Sequence, residues 1–505
     1  MGKSMTWRMT AQGLTGIANN TSYDAWTPAR AYQHYHGAIR ILTETASARL
    51  ASPVRVDFDS LRAGYNVDPK ITSVDFLTRW RGGPWGIGDI VKYQTAASWA
   101  LLAQAADDRG LWLSSYSRVQ QNALAGKRAI GREDWPASIV IPAQPARDTA
   151  VNAALRILQR GQVEVHRAAA PFSANGRTFP AGSHVIHTAQ PFGAFAKTML
   201  ETQRYPNLRE YPGGPPKRPY DVTAHTLPLL MGFDVAMVAD SVRVATTPLS
   251  TLPATRWVAS GLSDSRARRI AIFRNESASM DEGWTRWVFD QYRIPFTLVS
   301  AREIRAGNLA SRFDAVIIPD QAARLIGRGP VGSYPDSLKG GLGDAGAAAL
   351  GAFVDGGGTV LAFNEASDYA IEALQLPVTN VLAGVRPTEF YAPGSLINVE
   401  FDRANPLAAG LTSPASVVWF EDSPTFEVTD RSRAAVVARY PASGDPLSSG
   451  WLLGAPRLAG KAALVDVRRG RGHVVLFGFR PQYRAQSMAT FPIIWNALRL
   501  GAPVM

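Results

Sequence analysis

The sequence predicts an α/β protein of two or three domains. Three observations lead there. A chain of 505 residues is too long for one ordinary core. Short apolar runs rich in β-branched residues recur along it as strand candidates, and segments with helical apolar spacing alternate with them. Hydrophobic residues make up 46% and charged residues 19%, the balance of a globular chain.

The elements fall into three blocks, residues 1–131, 132–262 and 263–505. The first opens with Met1 to Asn20, polar and helical, without the apolar core of a signal peptide, so export is not encoded there and the location stays open. His36 to Glu44 reads as extended. Asp89 to Asp107 reads as a long helix, with Ile90, Tyr93, Ala97, Leu101 and Ala105 forming one apolar stripe; a second helix runs from Leu111 to Ala125. The second block begins with an apolar strand, Ser138 to Ile141. A helix follows, with Asp148 placed to cap it and Val151, Ala154, Leu155 and Leu158 on its apolar face. Val163 to Ala168 returns as a strand, which makes a βαβ unit. Gly182 to Ile186 and Pro191 to Thr202 follow as strand and helix, and Tyr205 to Tyr220 is a Pro- and Gly-rich loop.

The third block alternates strands and helices. Its strand candidates are Arg269 to Phe273, Phe296 to Val299, Ala315 to Ile318, Thr359 to Phe363 and Gly472 to Phe477. Ser279 and Glu282 form a capping-box pattern ahead of Trp284, Trp287 and Val288. Ala345 to Val354 is a helix closed by Gly356, Gly357 and Gly358, a turn that precedes a strand and is therefore no phosphate cradle. Buried parallel strands with intervening helices predict a doubly wound domain.

Composition narrows the chemistry. With no cysteine there are no disulfides, thiolate metal sites or cysteine nucleophiles. The net charge is +12 and the isoelectric point near 9.9, but no Lys/Arg run exceeds two or three residues. A solvated basic surface accounts for this, and nucleic acid is not an expected partner. No stretch approaches the ~18 consecutive apolar residues of a membrane span.

Tyr23-Asp24-Ala25-Trp26-Thr27-Pro28-Ala29-Arg30-Ala31-Tyr32-Gln33-His34-Tyr35-His36-Gly37, followed by Ala38 to Glu44 and Thr45 to Pro53, resembles the closing part of the catalytic domain in a bacterial branch of the zinc carboxypeptidases. The resemblance implies the last part of a mixed sheet, with a strand ending in a catalytic glutamate and a long final helix. By the same resemblance Glu44 is the general base, and Tyr23 contacts substrate from a loop, with Tyr32 and Tyr35 competing for that role. In the intact family, zinc-activated water hydrolyses a peptide, with the carboxylate moving the proton.

One departure is decisive for this chain. The family's first two ligands come as His-x-x-Glu, and none of the seven histidines here has Glu three residues later. The resemblance places all three ligands before Met1, so this chain is expected to bind no zinc of its own and to be inactive alone. His34, His36 and Glu44 are the alternative metal set, since His-x-His on a strand shares one face; the bland reading is a hydrogen-bonded polar loop. His184 and His187, three apart on a strand, point to opposite faces.

The third block resembles the class I glutamine amidotransferase-like fold, in which a cysteine occupies a tight elbow after a central strand. Here the elbow reads Asn364-Glu365-Ala366-Ser367, and Gly478-Phe479-Arg480-Pro481-Gln482 carries arginine and glutamine where the family has histidine and glutamate. Thiolate chemistry is excluded, and Ser367 would need His473, the block's one histidine, as its base. The expectation is a zinc metallocarboxypeptidase-family protein with an appended amidotransferase-like domain. The alternative is a non-catalytic ligand- or protein-binding scaffold built on that domain.

Overall fold

The computed structural model describes residues 1–21, 31–48, 52–64, 67–127, 135–240, 242–253, 257–259, 262, 268–332, 334–411 and 417–500. The chain divides into two compact units. One is Met1–Trp135 with Thr188–Phe195, the other Pro136–His187 with Ala196–Met505.

The first unit is mainly helical: α1 (Gly2–Ala11), a single turn α2 (Tyr32–Tyr35), α3 (Ile87–Asp107) and α4 (Arg109–Leu124). Met5 and Met9 of α1 pack on Ala97 and Ala100 of α3, with Tyr93 and Leu101 alongside; of the stripe read from the sequence, Ala97 is buried and Ile90, Tyr93, Leu101 and Ala105 are half-buried. Among the described residues, the strands of this unit are one antiparallel pair, β1 (Val54–Asp57) and β2 (Gly82–Trp85).

The expected strand ending at Glu44 is not formed. Residues 38–48 have no regular structure, and Ile39, Leu42 and Glu44 are exposed. A strand needs a ladder partner. This stretch is held instead by side chains: Thr43 Oγ1 donates to Gln94 Oε1 at 2.9 Å, and Trp85 Nε1 donates to the Ala46 carbonyl at 3.0 Å.

The second unit opens with a five-stranded antiparallel sheet built from β3 (Ser138–Ile141), β4 (His166–Ala168), β7 (His184–His187), β8 (Ala236–Val238) and β9 (Thr246–Pro248), in the order β8-β3-β7-β4-β9. A small hairpin, β5 (Phe172–Ala174) and β6 (Arg177–Phe179), interrupts it. Helix α5 (Asp148–Arg160) joins β3 to β4 as expected, but β7 inserts antiparallel between them and splits the βαβ unit. A further helix of this unit is α7 (Leu227–Met231), and α6 (Gly193–Leu200) runs across the division of the chain at Phe195.

The core of the unit is a ten-stranded mixed sheet. Its parallel half contains β10 (Ile270–Phe273), β11 (Thr297–Val299), β12 (Ala315–Ile318), β13 (Thr359–Phe363) and β22 (Gly472–Phe477), in the order β11-β10-β12-β13-β22. Counted in chain order that is 2-1-3-4-5, a doubly wound arrangement with its switch point between β10 and β12. Ile272, Ile317, Leu361, Phe363, Val475 and Phe477 face α8 (Met280–Gln291) and α14 (Phe491–Arg499). Phe273, Val316, Ile318, Val360, Ala362 and Leu476 face α9 (Ala301–Arg305), α10 (Leu309–Arg312), α11 (Ala323–Arg328), α12 (Gly343–Asp355) and α13 (Ala366–Ala373). Both faces are buried, so these strands are apolar throughout.

Between α13 and β22 the chain inserts antiparallel strands. β14 (Val378–Asn380), β16 (Glu400–Phe401), β18 (Phe426–Val428), β19 (Ala434–Arg439) and β21 (Ala462–Arg469) extend the large sheet. β15 (Pro393–Asn398), β17 (Val417–Glu421) and β20 (Leu447–Ser449) form a separate three-stranded sheet. No helix among the described residues is long and apolar enough to cross a membrane.

Candidate functional site

Polar groups gather at the carboxyl edge of the parallel strands, where open α/β sheets place their ligand crevices. Three of them arrive on connections leaving parallel strands, one at the end of an antiparallel strand and one at the start of a helix. Asp320 lies two residues beyond β12, Asn364 directly follows β13, Arg480 comes three residues after β22, and Glu421 closes β17. Asp281 is the second residue of α8, whose N-cap Ser279 accepts from the Glu282 N–H and donates to the Asp320 carbonyl at 2.8 Å. The β22 connection is pressed close to its neighbours: a Cβ on Gly478 would stand 2.6 Å from the Pro424 carbonyl, so only glycine fits there, two residues before Arg480.

Arg480 is the hub. Its Nε and Nη2 donate to Asp320 Oδ2 at 2.8 and 2.5 Å, its Nη1 donates to Glu421 Oε2 at 2.7 Å, and Asp281 Oδ2 stands 3.8 Å from Nε. Burial opposes its charge, but Asp281, Asp320 and Glu421 outweigh burial and hold the guanidinium firmly protonated. Arg484 makes a second fork to Asp221 at 2.6 and 3.2 Å. Burial pushes the Asp281 carboxyl up to about 7, with Asp320 and Glu421 adding to the rise and Arg480 opposing it. Glu365 is also pushed up to about 7, by burial first and then by Asp320 and Asp422. Burial raises Glu421 as well, against Arg480. Two carboxyls therefore change protonation near neutrality, as groups suited to moving protons or sensing charge do.

The expected elbow is present. Asn364 has φ +52° at the turn from β13 into α13, in the left-handed region where asparagine is better tolerated than bulkier side chains. Its Nδ2 donates to Asp320 Oδ1 and to the Glu421 carbonyl, both at 3.1 Å, and Asp320 Oδ1 also accepts the Glu365 N–H at 3.0 Å. An amide in that role is a structural tie and has no nucleophilic lone pair to offer.

Ser367 does not act with His473. Its hydroxyl is fully buried and donates to the Ala362 and Phe477 carbonyls at 3.0 and 3.2 Å. His473 pairs across from Thr359, at the start of the strand whose end forms the elbow, roughly 13 Å away at ~3.3 Å per residue. There its Nδ1 meets Asp466 Oδ1 at 2.9 Å. The glycines after α12 form a turn into β13, as expected.

The carboxypeptidase resemblance singles out Glu44 and Tyr23, and the alternative metal set is His34, His36 and Glu44. Tyr23 lies outside the described residues. Glu44 is exposed, and so is His34. His36 serves an aromatic cluster: its ring stacks on Tyr32 at 4.0 Å and sits 4.7 and 4.8 Å from Phe192 and Phe195, and its Nδ1 lies 2.9 Å from the Tyr32 carbonyl. Among the described residues no three histidine or carboxylate side chains converge as metal ligands. His187 Nδ1 contacts the buried Ser138 hydroxyl at 3.0 Å, and burial followed by the neighbouring His166 lowers its basicity.

Sequence reasoning singled out Asn364, Glu365 and Arg480 by position but missed Asp281, Asp320, Glu421, Asp422, Asp221 and Arg484. The available signal was a carboxylate just beyond an apolar run, as in Ile317-Ile318-Pro319-Asp320 and Trp419-Phe420-Glu421.

No protein-family model matches the sequence, and no curated protein matches it. Among solved structures, a ThuA-like protein from Bacteroides uniformis is 9% identical over 45% of this chain and 91% of its own, with a TM-score of 0.27. A GMP synthase component from Thermoplasma acidophilum is 9% identical over 46% of this chain and 94% of its own, with a TM-score of 0.29. A β-galactosidase from Rahnella sp. R3 is 17% identical over 45% of this chain but only 30% of its own, with a TM-score of 0.26. Superpositions this loose assign neither a family nor a function.

Proposed function

We propose that this chain is a zinc metallocarboxypeptidase-family protein whose own residues perform no zinc chemistry, and that its second unit serves it as a non-catalytic binding module built on an amidotransferase-like domain. The family reading is supported by the segment from Tyr23 to Pro53 and by the appended motifs around Asn364 and Gly478 to Gln482. In the intact family the reaction is peptide hydrolysis by zinc-activated water, with Glu44 as base and Tyr23 against the substrate. The histidines of this sequence offer no His-x-x-Glu to hold that metal.

One observation carries the binding-module reading. The elbow that presents a nucleophile in the amidotransferase-like fold presents Asn364, whose amide is tied to Asp320 and to the Glu421 carbonyl. Arg480 stands where that fold keeps a basic histidine, and a guanidinium clamped by carboxylates takes up no proton.

The test is metal analysis of the purified chain together with two assays: cleavage of peptides with free or amidated C-termini, and ammonia release from glutamine. The expected result is substoichiometric zinc, intact peptides and no ammonia. Stoichiometric zinc with cleavage that needs a free carboxylate would overturn the first half of the proposal. Ammonia release would overturn the second.

A further inference from the structure

Helix α3 carries apolar side chains on two faces, and one of them is bare. Tyr93, Ala97, Ala100 and Leu101 lie on the side that packs against α1. On the other side Ile87, Val91, Trp99 and Leu102 recur at helical spacing and form one stripe, exposed by 50%, 57%, 66% and 58%. Thr95, Ser98 and Ala106 fill the same stripe, and charge enters it only at the border, with Lys92. An uncharged stripe of this size on a long helix marks a surface that another polypeptide covers. At roughly 150–250 Å² for a large side chain, the four leave roughly 450 Å² of apolar surface bare. Leu111 and Leu113 at the start of α4 are exposed as well, and with the polar border they bring the face to the ~800 Å² per partner that a specific dimer buries.

The face is complementary to itself. At its amino end Pro53, Pro84, Trp85 and Ile87 line part of a pocket of about 270 Å³, wide enough for a leucine side chain. At its carboxyl end Leu111 is exposed four residues beyond the last residue of α3. Ile87 and Leu111 are equally far from Trp99 along the chain, so a two-fold axis at Trp99 brings the leucine of each copy to the pocket of the other. Asp89 and Arg109 are also equidistant from Trp99, and Lys92 and Asp107 nearly so. The same register therefore sets opposite charges against each other. Of these groups, Asp89 also caps α3 through the Gly86 N–H, and Asp107 also binds Arg8; Asp108 between the helices is held by Gln104. Trp99 then stands at the centre of the contact, where the aromatic residues that dominate interfaces lie. An unrelated partner would require no such symmetry.

We propose that α3 is a self-association face: two copies of this chain pair through antiparallel α3 helices about a two-fold axis at Trp99, each placing Leu111 at the pocket beside Ile87 of the other.

Sedimentation equilibrium of the full chain from about 1 to 100 µM tests it, and a monomer–dimer equilibrium with Kd of about 10 µM or tighter is expected. Trp99 and Leu102 are exposed in the single chain, so Trp99→Lys and Leu102→Lys should leave the circular-dichroism spectrum unchanged. Each should raise Kd about thirtyfold or more. Because the chain has no cysteine, a single introduced one reports proximity. Ser98→Cys, beside the axis, should form a disulfide-linked dimer on mild oxidation, whereas Ser117→Cys, exposed among the polar residues of α4, should stay monomeric on non-reducing gels. A monomer at about 100 µM, a dimer that both lysine variants leave intact, or cross-linking of Ser117→Cys as fast as of Ser98→Cys overturns the proposal. Growth beyond the dimer with concentration overturns it too, because a two-fold face closes on itself.

Discussion

Replacing Asp281 by asparagine removes a charge that the fold buries at a cost. The carboxyl is 4% exposed and is pushed from an ordinary 3.8 to about 7, mainly by burial. The folded-state value lies above the unfolded one, so between pH 4 and pH 7 the native chain keeps a proton that the unfolded chain has released. Its contribution to stability is complete below about pH 4 and is lost as the pH rises through 7. At about 1.4 kcal/mol per pH unit, the interval amounts to about 4 kcal/mol, an upper figure because water penetration and relaxation soften buried charges. Asp281→Asn imitates the neutral form at every pH. Guanidinium unfolding of both proteins, followed by circular dichroism and tryptophan fluorescence, should give similar stabilities at pH 4. At pH 8 the variant should be the more stable by several kcal/mol, up to that limit. A difference that does not change with pH, or one that favours the wild type increasingly above pH 7, would refute the reasoning.

Arg480→Met should act in the opposite sense. It leaves Asp320 and Glu421 buried without their counter-charge, a loss of about 3–5 kcal/mol at pH 8 that shrinks at pH 5 as carboxyls take up protons; the same unfolding series reads it. Asn364→Gly and Asn364→Ala both lose the ties to Asp320 and Glu421, but only alanine must hold φ +52° with a Cβ. The glycine variant should be the more stable by about 1 kcal/mol, and equal denaturation midpoints would contradict this. Asn364→Cys should place a thiol among carboxylates that disfavour the thiolate. Its alkylation by iodoacetamide at pH 8 should be slower than that of free cysteine, and a faster rate would show that the elbow still activates a nucleophile.

The parallel strands were legible because burial on both faces leaves uninterrupted apolar runs. Ala315–Ile318, Thr359–Phe363 and Gly472–Phe477 form over the spans that the sequence predicts. The antiparallel insertion was not legible. Val378–Asn380, Phe426–Val428 and Leu447–Ser449 are three residues each, too short for a period to show, and their partners are distant in sequence. The segment ending at Glu44 failed for the converse reason. Its alternation is strand-like, but pairing is a property of two segments, and only one could be read. In the site, Asp281, Asp320, Glu421 and Arg480 ride on four separate segments of the chain, so no spacing links them, and only the rule that ligand groups follow the carboxyl ends of strands could have collected them.

The elbow itself separates backbone geometry from chemistry. A strand that turns abruptly into a helix demands a left-handed residue whatever that residue does, and asparagine meets the demand at low cost because its short amide bonds locally. With an amide at that turn, the elbow itself brings no counter-charge to the carboxylates around it, and their mutual repulsion has to be settled some other way. Arg480 settles part of it by binding Asp320 and Glu421 together. The remainder appears in Asp281 and Glu365, which hold their protons to about 7.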